Sequence, residues 1–211
     1  MASRNYLIPI GSMTLSDQKS YRLAALASGL ERCQVKSIGD LNSDIPGLAS
    51  ISDTGKRVQL IVNYLMQGNW PRSVDVREWQ NIADAGAALD QWNTAALAVV
   101  GTNYSMFQAI AAPTLAPNKL AVFYGVITET IPVPVSRLTF RRGGAAGNTI
   151  GVFDLELLAS RQELIGYFSE PVVIDPNSVF AAQAMARIAT GVLARMQLMN
   201  FVFEPAGQIV A

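Results

Sequence analysis

From Lys119 to Pro205, β-favouring segments follow one another at short intervals, separated by Pro, Gly, Asn and Asp. A chain with that cadence must pair its segments to satisfy their backbone groups, and several strands with regular turn signals predict an antiparallel β-sandwich. The segments are Leu120 to Thr130, Val133 to Arg142, Thr149 to Leu158, Leu164 to Phe168, Val172 to Ile174, Val179 to Ala189 and Val192 to Glu204. Ile131-Pro132-Val133-Pro134 must be extended, because each proline fixes its own φ and pushes its predecessor out of the helical region. Gly143 to Asn148 makes a flexible hairpin connection. Between Val179 and Met199 local propensity favours helix, since Ala, Met, Gln and Arg are helix formers and Ser178 is placed to cap one. Two strands are expected there instead. Phe180, Ala182, Ala184, Ala186 and Ile188 fall on one face at period two, and Thr190-Gly191 offers a break.

Before Lys119 the pattern changes. Asn5 to Ile10 reads as a short strand or extended arm, with Pro9 at an edge position. Thr14-Leu15-Ser16-Asp17 resembles a capped helix start, followed by Leu23, Leu26 and Leu30 at helical spacing. Val35 to Thr54 is loop with room for a short helical turn. In Gly55 to Gln67, Val58, Ile61, Val62 and Leu65 follow the i, i+3, i+4, i+7 rule, and Gly68 sits where a left-handed residue ends a helix. A third helix is expected from an Asp75 cap through Val76, Trp79, Ile82, Ala83, Gly86 and Leu89 toward Trp92. The fold class expected is α+β. Residues 1–118 form an N-terminal arm and mainly helical region, and residues 119–211 form the sandwich.

Composition narrows the partners. Charged residues make up 15% of the 211-residue chain and hydrophobic ones 50%, against about 25% charged in ordinary globular domains. The deficit falls on the surface, as expected where subunits cover one another. Lys and Arg total 16 and Asp and Glu total 16, with nine of each sign before Lys119 and seven from it onward. With no basic excess in either part, no direct nucleic-acid binding is expected. The apolar patch Tyr6 to Ile10 is too short and too interrupted for an export signal, and Ala95 to Lys119 is too diluted by polar residues to span a membrane. Cys33 is the single cysteine; it cannot form an internal disulfide and is expected to be a buried small hydrophobe.

No residue pattern names a reaction. The chain has no histidine, which excludes histidine-based triads and makes cupin-type metal sites implausible. Asp154 and Glu156 lie two apart on an expected strand, hence on one face, and could serve a glycosidase. Same-face carboxylates more commonly meet solvent or an arginine. Gly143 to Thr149 lacks the lysine of a phosphate loop and lies between strands. Arg141-Arg142-Gly143-Gly144 has a composition seen in single-strand RNA binders but occurs once and without interleaved aromatics. Glu170-Pro171, Asp175-Pro176-Asn177 and Glu204-Pro205 read as strand-end punctuation. Trp70, Trp79 and Trp92 could stack on a sugar, although Trp79 at helical spacing more simply packs its helix on the sandwich. No catalytic, cofactor-binding or metal-binding residue is assigned, and no cofactor is expected.

The order of Tyr124-Gly125, Val135 to Arg142, Asp154-Leu155-Glu156, Tyr167-Phe168-Ser169-Glu170-Pro171 and Phe201-Val202-Phe203-Glu204-Pro205-Ala206-Gly207 resembles jelly-roll virion proteins of bacterial viruses. The resemblance covers the C-terminal half. It implies a non-enzymatic capsid or other virion-building subunit, located in the virion and partnered by copies of itself and by other virion proteins, with no catalytic residue to carry over. A jelly roll has eight strands, and seven segments follow Lys119, so one strand is expected from Asn5 to Ile10 or the helical part is an insertion. The few edge charges and the short N-terminal segment point to assembly through hydrophobic contacts, with Asn5 to Ile10 as an exchanged arm. The alternative function is a carbohydrate- or receptor-binding sandwich module.

Overall fold

The computed structural model describes residues 5–80, 84, 93–107, 112–190 and 193–207. The fold is mixed α/β and β-rich. Its strands are β1 (Asn5–Pro9), β2 (Val74–Arg77), β3 (Asn93–Ala96), β4 (Asn103–Ser105), β5 (Leu120–Thr128), β6 (Val135–Arg142), β7 (Asn148–Asp154), β8 (Ile165–Ile174), β9 (Phe180–Ala186) and β10 (Leu193–Pro205). Hydrogen bonding orders them β2-β10-β5-β8-β1-β7-β6-β9-β4, with β3 pairing β10 off that path. Every pairing is antiparallel except β1 with β7.

This sheet curls until its two halves face each other. Phe123 on β5 and Phe140 on β6 stand four places apart in the strand order, yet their ring centroids are 5.4 Å apart. Phe140 also meets Phe168 of β8 at 5.7 Å. Alternation supplies the inward set: Ala121 and Phe123 of β5, Leu138 and Phe140 of β6, and Phe180, Ala182 and Ala184 of β9 all lie in one buried cluster. The small alanines of β9 leave room for the phenylalanines opposite, which is why a helix-prone composition can serve as a strand here.

The seam between the halves is β1. It pairs with β7 through Asn5 and Tyr6 and with β8 through Leu7, Ile8 and Pro9. Leu7 is 1% exposed and sits over Gly166, where a side-chain carbon would collide with its methyl. The segment expected as an exchanged arm is therefore a strand in its own chain's sheet.

A second buried cluster lies on the outer face of the β10-β5-β8 half. There Leu120, Val122, Tyr124, Phe201 and Phe203 meet α1 (Leu15–Lys36), α2 (Leu41–Asp44) and α3 (Thr54–Met66). The start of α1 is fixed by a capping box in which Thr14 and Asp17 satisfy each other's backbone N–H groups. Asp53 caps α3, and Gly68 at φ +80° follows its end. Gly29 lets α1 approach the sheet closely, because any Cβ there would enter the Phe203 ring.

Four expectations are corrected. The helix expected from Asp75 begins as strand: β2 pairs with β10 through Val202 to Pro205, Glu78, Trp79 and Gln80 after it are not helical, and the rest of that helix, Asp84 apart, lies outside the described residues. Among the described residues of the first 118, long helices lie within 15–66, and the sheet takes β1 to β4 from that region. Leu164 to Phe168 and Val172 to Ile174 are one strand, β8; the β5–β8 register shifts between Phe123 and Gly125, absorbing the stretch that holds Pro171. The strand expected from Thr149 to Leu158 stops at Asp154, and Glu156–Arg161 form α4.

Candidate functional site

Apolar side chains reach the surface at the sheet end where β3 turns into β4. Hydrogen bonds join three loops there. Gly101 N–H donates to Ala186 O and Ala186 N–H to Thr102 O; Arg187 and Ile188 N–H donate to Pro134 O; Thr190 N–H donates to Leu97 O. Two of these loops present large apolar side chains to solvent, Val99 and Val100 at 59% and 58% exposure on one and Ile131 at 63% on another. Aliphatic side chains exposed together on a tied surface mark a contact site more than scattered ones do. The charges near them are paired: Arg195 and Glu129 face each other at 3.9 Å, and Arg187 is held at 3.0 Å by Glu156.

Charge is concentrated inside the molecule instead. Arg77 at the end of β2 donates to both oxygens of Asp84 at 2.7 Å and to Glu204 of β10 at 2.9 Å. Lys119 adds 2.9 Å to Asp84 and 3.8 Å to Glu204. Asp84 also accepts from Gln80 N–H. Burial alone would raise the Asp84 carboxyl; the hydrogen bonds from Arg77, Gln80 and Lys119 outweigh it and hold the group below the usual carboxylate range. Two cations and two anions cancel, so the network is a structural clamp between β2, β10 and the start of β5. Asp175, past the end of β8, gathers Arg32 at 2.7 Å, Lys36 at 3.3 Å and Arg142 at 3.9 Å. Hydrogen bonding to Arg32 is the main reason its carboxyl also stays low.

The residues singled out from the sequence are dispersed. Asp154 and Glu156 do not share a strand face: Asp154 Oδ1 accepts from Glu156 N–H at the start of α4, and Glu156 pairs with Arg187. Both nonetheless line one open depression with Tyr6, Leu7, Leu157 and Ser160. Trp79 is 5% exposed and packed among Phe107, Phe123 and Phe180, and its backbone N–H donates to Asn200 Oδ1. Trp70 is half-buried and donates from Nε1 to Val74 O, while Trp92 lies outside the described residues. Arg141 donates to Gln183 and Gly147 O, and Arg142 turns toward Asp175. Glu170-Pro171 lies within β8, whereas Glu204-Pro205 closes β10 and carries the clamp. Cys33 is buried, and burial raises its thiol.

Among the described residues no group of three or more histidine, cysteine, aspartate or glutamate side chains could hold a metal, and no helix is long and apolar enough to cross a membrane. The tied loops of the apolar end were not readable in advance, because their only sequence signal was isolated valines and isoleucine in Gly- and Pro-containing stretches. Compared with known proteins, the chain matches no family model, no curated protein and no solved structure.

Proposed function

We propose that this chain is a virion structural protein, a capsid or other particle-building subunit that associates with copies of itself through hydrophobic contact. The observation that carries this reading is the apolar end: Val99, Val100 and Ile131 exposed on two loops that backbone hydrogen bonds tie, with the loop after β9, to one place. An apolar surface tied by backbone hydrogen bonds, with its neighbouring charges paired, suits a repeated contact between subunits better than a small-molecule site.

The arrangement of strands supports the jelly-roll part of the reading. Four strands, β2-β10-β5-β8, face four others, β7-β6-β9-β4, across a shared aromatic core, with β1 as the seam. Two facing four-stranded sheets are what a jelly roll requires. With β1 held inside its own sheet, contact between copies falls to the apolar end, and other virion proteins are further partners.

The test is a Val100→Asp/Ile131→Asp variant followed by size exclusion with light scattering. Both sites are exposed, so thermal unfolding of the dissociated subunit should shift by no more than about 0.5 kcal/mol per site. The wild type is expected to form rings or shells at high concentration and the variant to remain small. A wild type that stays monomeric under all salt conditions, or a variant that assembles as well as wild type, contradicts the reading.

A further inference from the structure

On the outer face of the β10-β5-β8 half, beside the N-terminal half of α1, there is a cleft of about 200 Å³. Its wall and floor include Arg22, Glu78, Tyr124, Tyr167, Gln197 and Asn200. Asn200 is fixed, with Oδ1 accepting from Trp79 N–H at 2.6 Å and Nδ2 donating to Leu198 O at 2.7 Å. Tyr124 is fixed too, stacked on Phe201 at 4.7 Å and on Tyr167 at 6.2 Å. The floor is therefore preorganised by core contacts.

The rim is different. The Glu78 carboxylate, the Gln197 amide and the Tyr167 hydroxyl are not spent on hydrogen bonds or ion pairs within the described chain. Arg22 lies beside the Tyr124 hydroxyl, and no ion pair joins it to Glu78. The cleft thus offers a cationic donor, an anionic acceptor, an amide that does both and a phenol that does both, with the two charges cancelling.

We infer that this cleft binds a single sugar residue, a neutral polyhydroxyl ligand, by hydrogen bonds from Arg22, Glu78, Gln197 and Tyr167. Size, polarity and neutrality each select it. A volume near 200 Å³ matches one sugar ring. Adjacent hydroxyls that both donate and accept match a rim alternating donor and acceptor, and a net-neutral rim gives no preference to an anion. A nucleobase or other flat aromatic is disfavoured because the tyrosine faces are covered by their own stack, leaving Tyr124 at 6% and Tyr167 at 5% exposure. This site differs from the tryptophan platform considered from the sequence, and it does not depend on assembly of the subunit.

Saturation-transfer NMR on the full chain, with glucose, galactose, mannose and N-acetylglucosamine at millimolar concentration and glycine and acetate as charged controls, tests the inference. Transfer is expected to ring protons of at least one sugar and not to the controls. It should fall at least fivefold in Glu78→Ala/Gln197→Ala, whose thermal unfolding serves as the folding check. A milder Gln197→Leu variant, which keeps the side chain's bulk, should lose the same signal if the amide makes the contact. Transfer to none of the sugars, equal transfer to glycine or acetate, or transfer undiminished in both folded variants overturns it. Because the signal is read on the subunit, its absence leaves the light-scattering result untouched.

Discussion

Leu7 and Gly166 form the knob and hole that lock β1 into the seam, and a double-mutant cycle measures that lock. Leu7→Ala removes a fully buried leucine's branched end and should cost about 2–5 kcal/mol, or roughly 5–15 °C in Tm for a chain of this length. Gly166→Ala adds one carbon that would overlap the Leu7 Cδ2 methyl and lie 3.1 and 3.2 Å from the Leu158 methyls. The overlap should cost about 1–3 kcal/mol. The backbone at Gly166 is not in the left-handed region, so the penalty is one of space alone. In the double variant the truncated Leu7 vacates the space that the new methyl needs. Its destabilisation should therefore fall short of the sum of the two singles by at least about 1 kcal/mol. Urea unfolding followed by fluorescence reads all four proteins, since Trp79 is buried beside Phe107, Phe123 and Phe180 and should report loss of the sandwich core. If the two effects add within about 0.5 kcal/mol, the residues do not share a site. The placement of β1 between β7 and β8 would then be wrong.

Asp84→Asn strips a carboxylate from the buried clamp and leaves Arg77 and Lys119 with Glu204 alone, which should cost about 3–5 kcal/mol by urea unfolding at neutral pH. Because the folded Asp84 carboxyl lies below its ordinary value of 3.8, its contribution is fully present above that value and is lost as pH falls through the lower folded one. Wild-type stability should accordingly drop more steeply below about pH 4 than that of the Asp84→Asn variant, and parallel acid limbs would contradict the clamp. Cys33, buried with its thiol raised, should resist alkylation in the native protein and react only on unfolding, as mass spectrometry after iodoacetamide would record.

Much of the sheet was readable from residue order because strands and turns carry local signals. Phe180, Ala182 and Ala184 announced an inward face at period two, and that face overrode the helical propensity of the same residues. Thr14 and Asp17 announced a cap, and the structure has it. What failed were patterns that satisfy two periods at once. Val76 and Trp79 are spaced for a helix, but Val76 belongs to a strand on β10 and Trp79 enters the core after that strand has ended. The pair Asp154 and Glu156 looked like one strand face because nothing between them signals a stop, whereas the Asp154 side chain itself starts α4 by taking the Glu156 N–H. The cleft and the apolar end were unreadable for a further reason. Each gathers residues separated by tens of positions, Arg22 with Gln197 through the packing of α1 on the sheet and Val99 with Ile131 through the curl of the sheet.

The claim that most needs testing is that subunits assemble through apolar contact, and electron micrographs of the purified protein at two salt concentrations test it directly. Closed shells or rings are predicted, with yields little changed between low and moderate salt because hydrophobic contacts are not screened. A field of monomers at both concentrations, or particles that dissolve as salt rises, would contradict it.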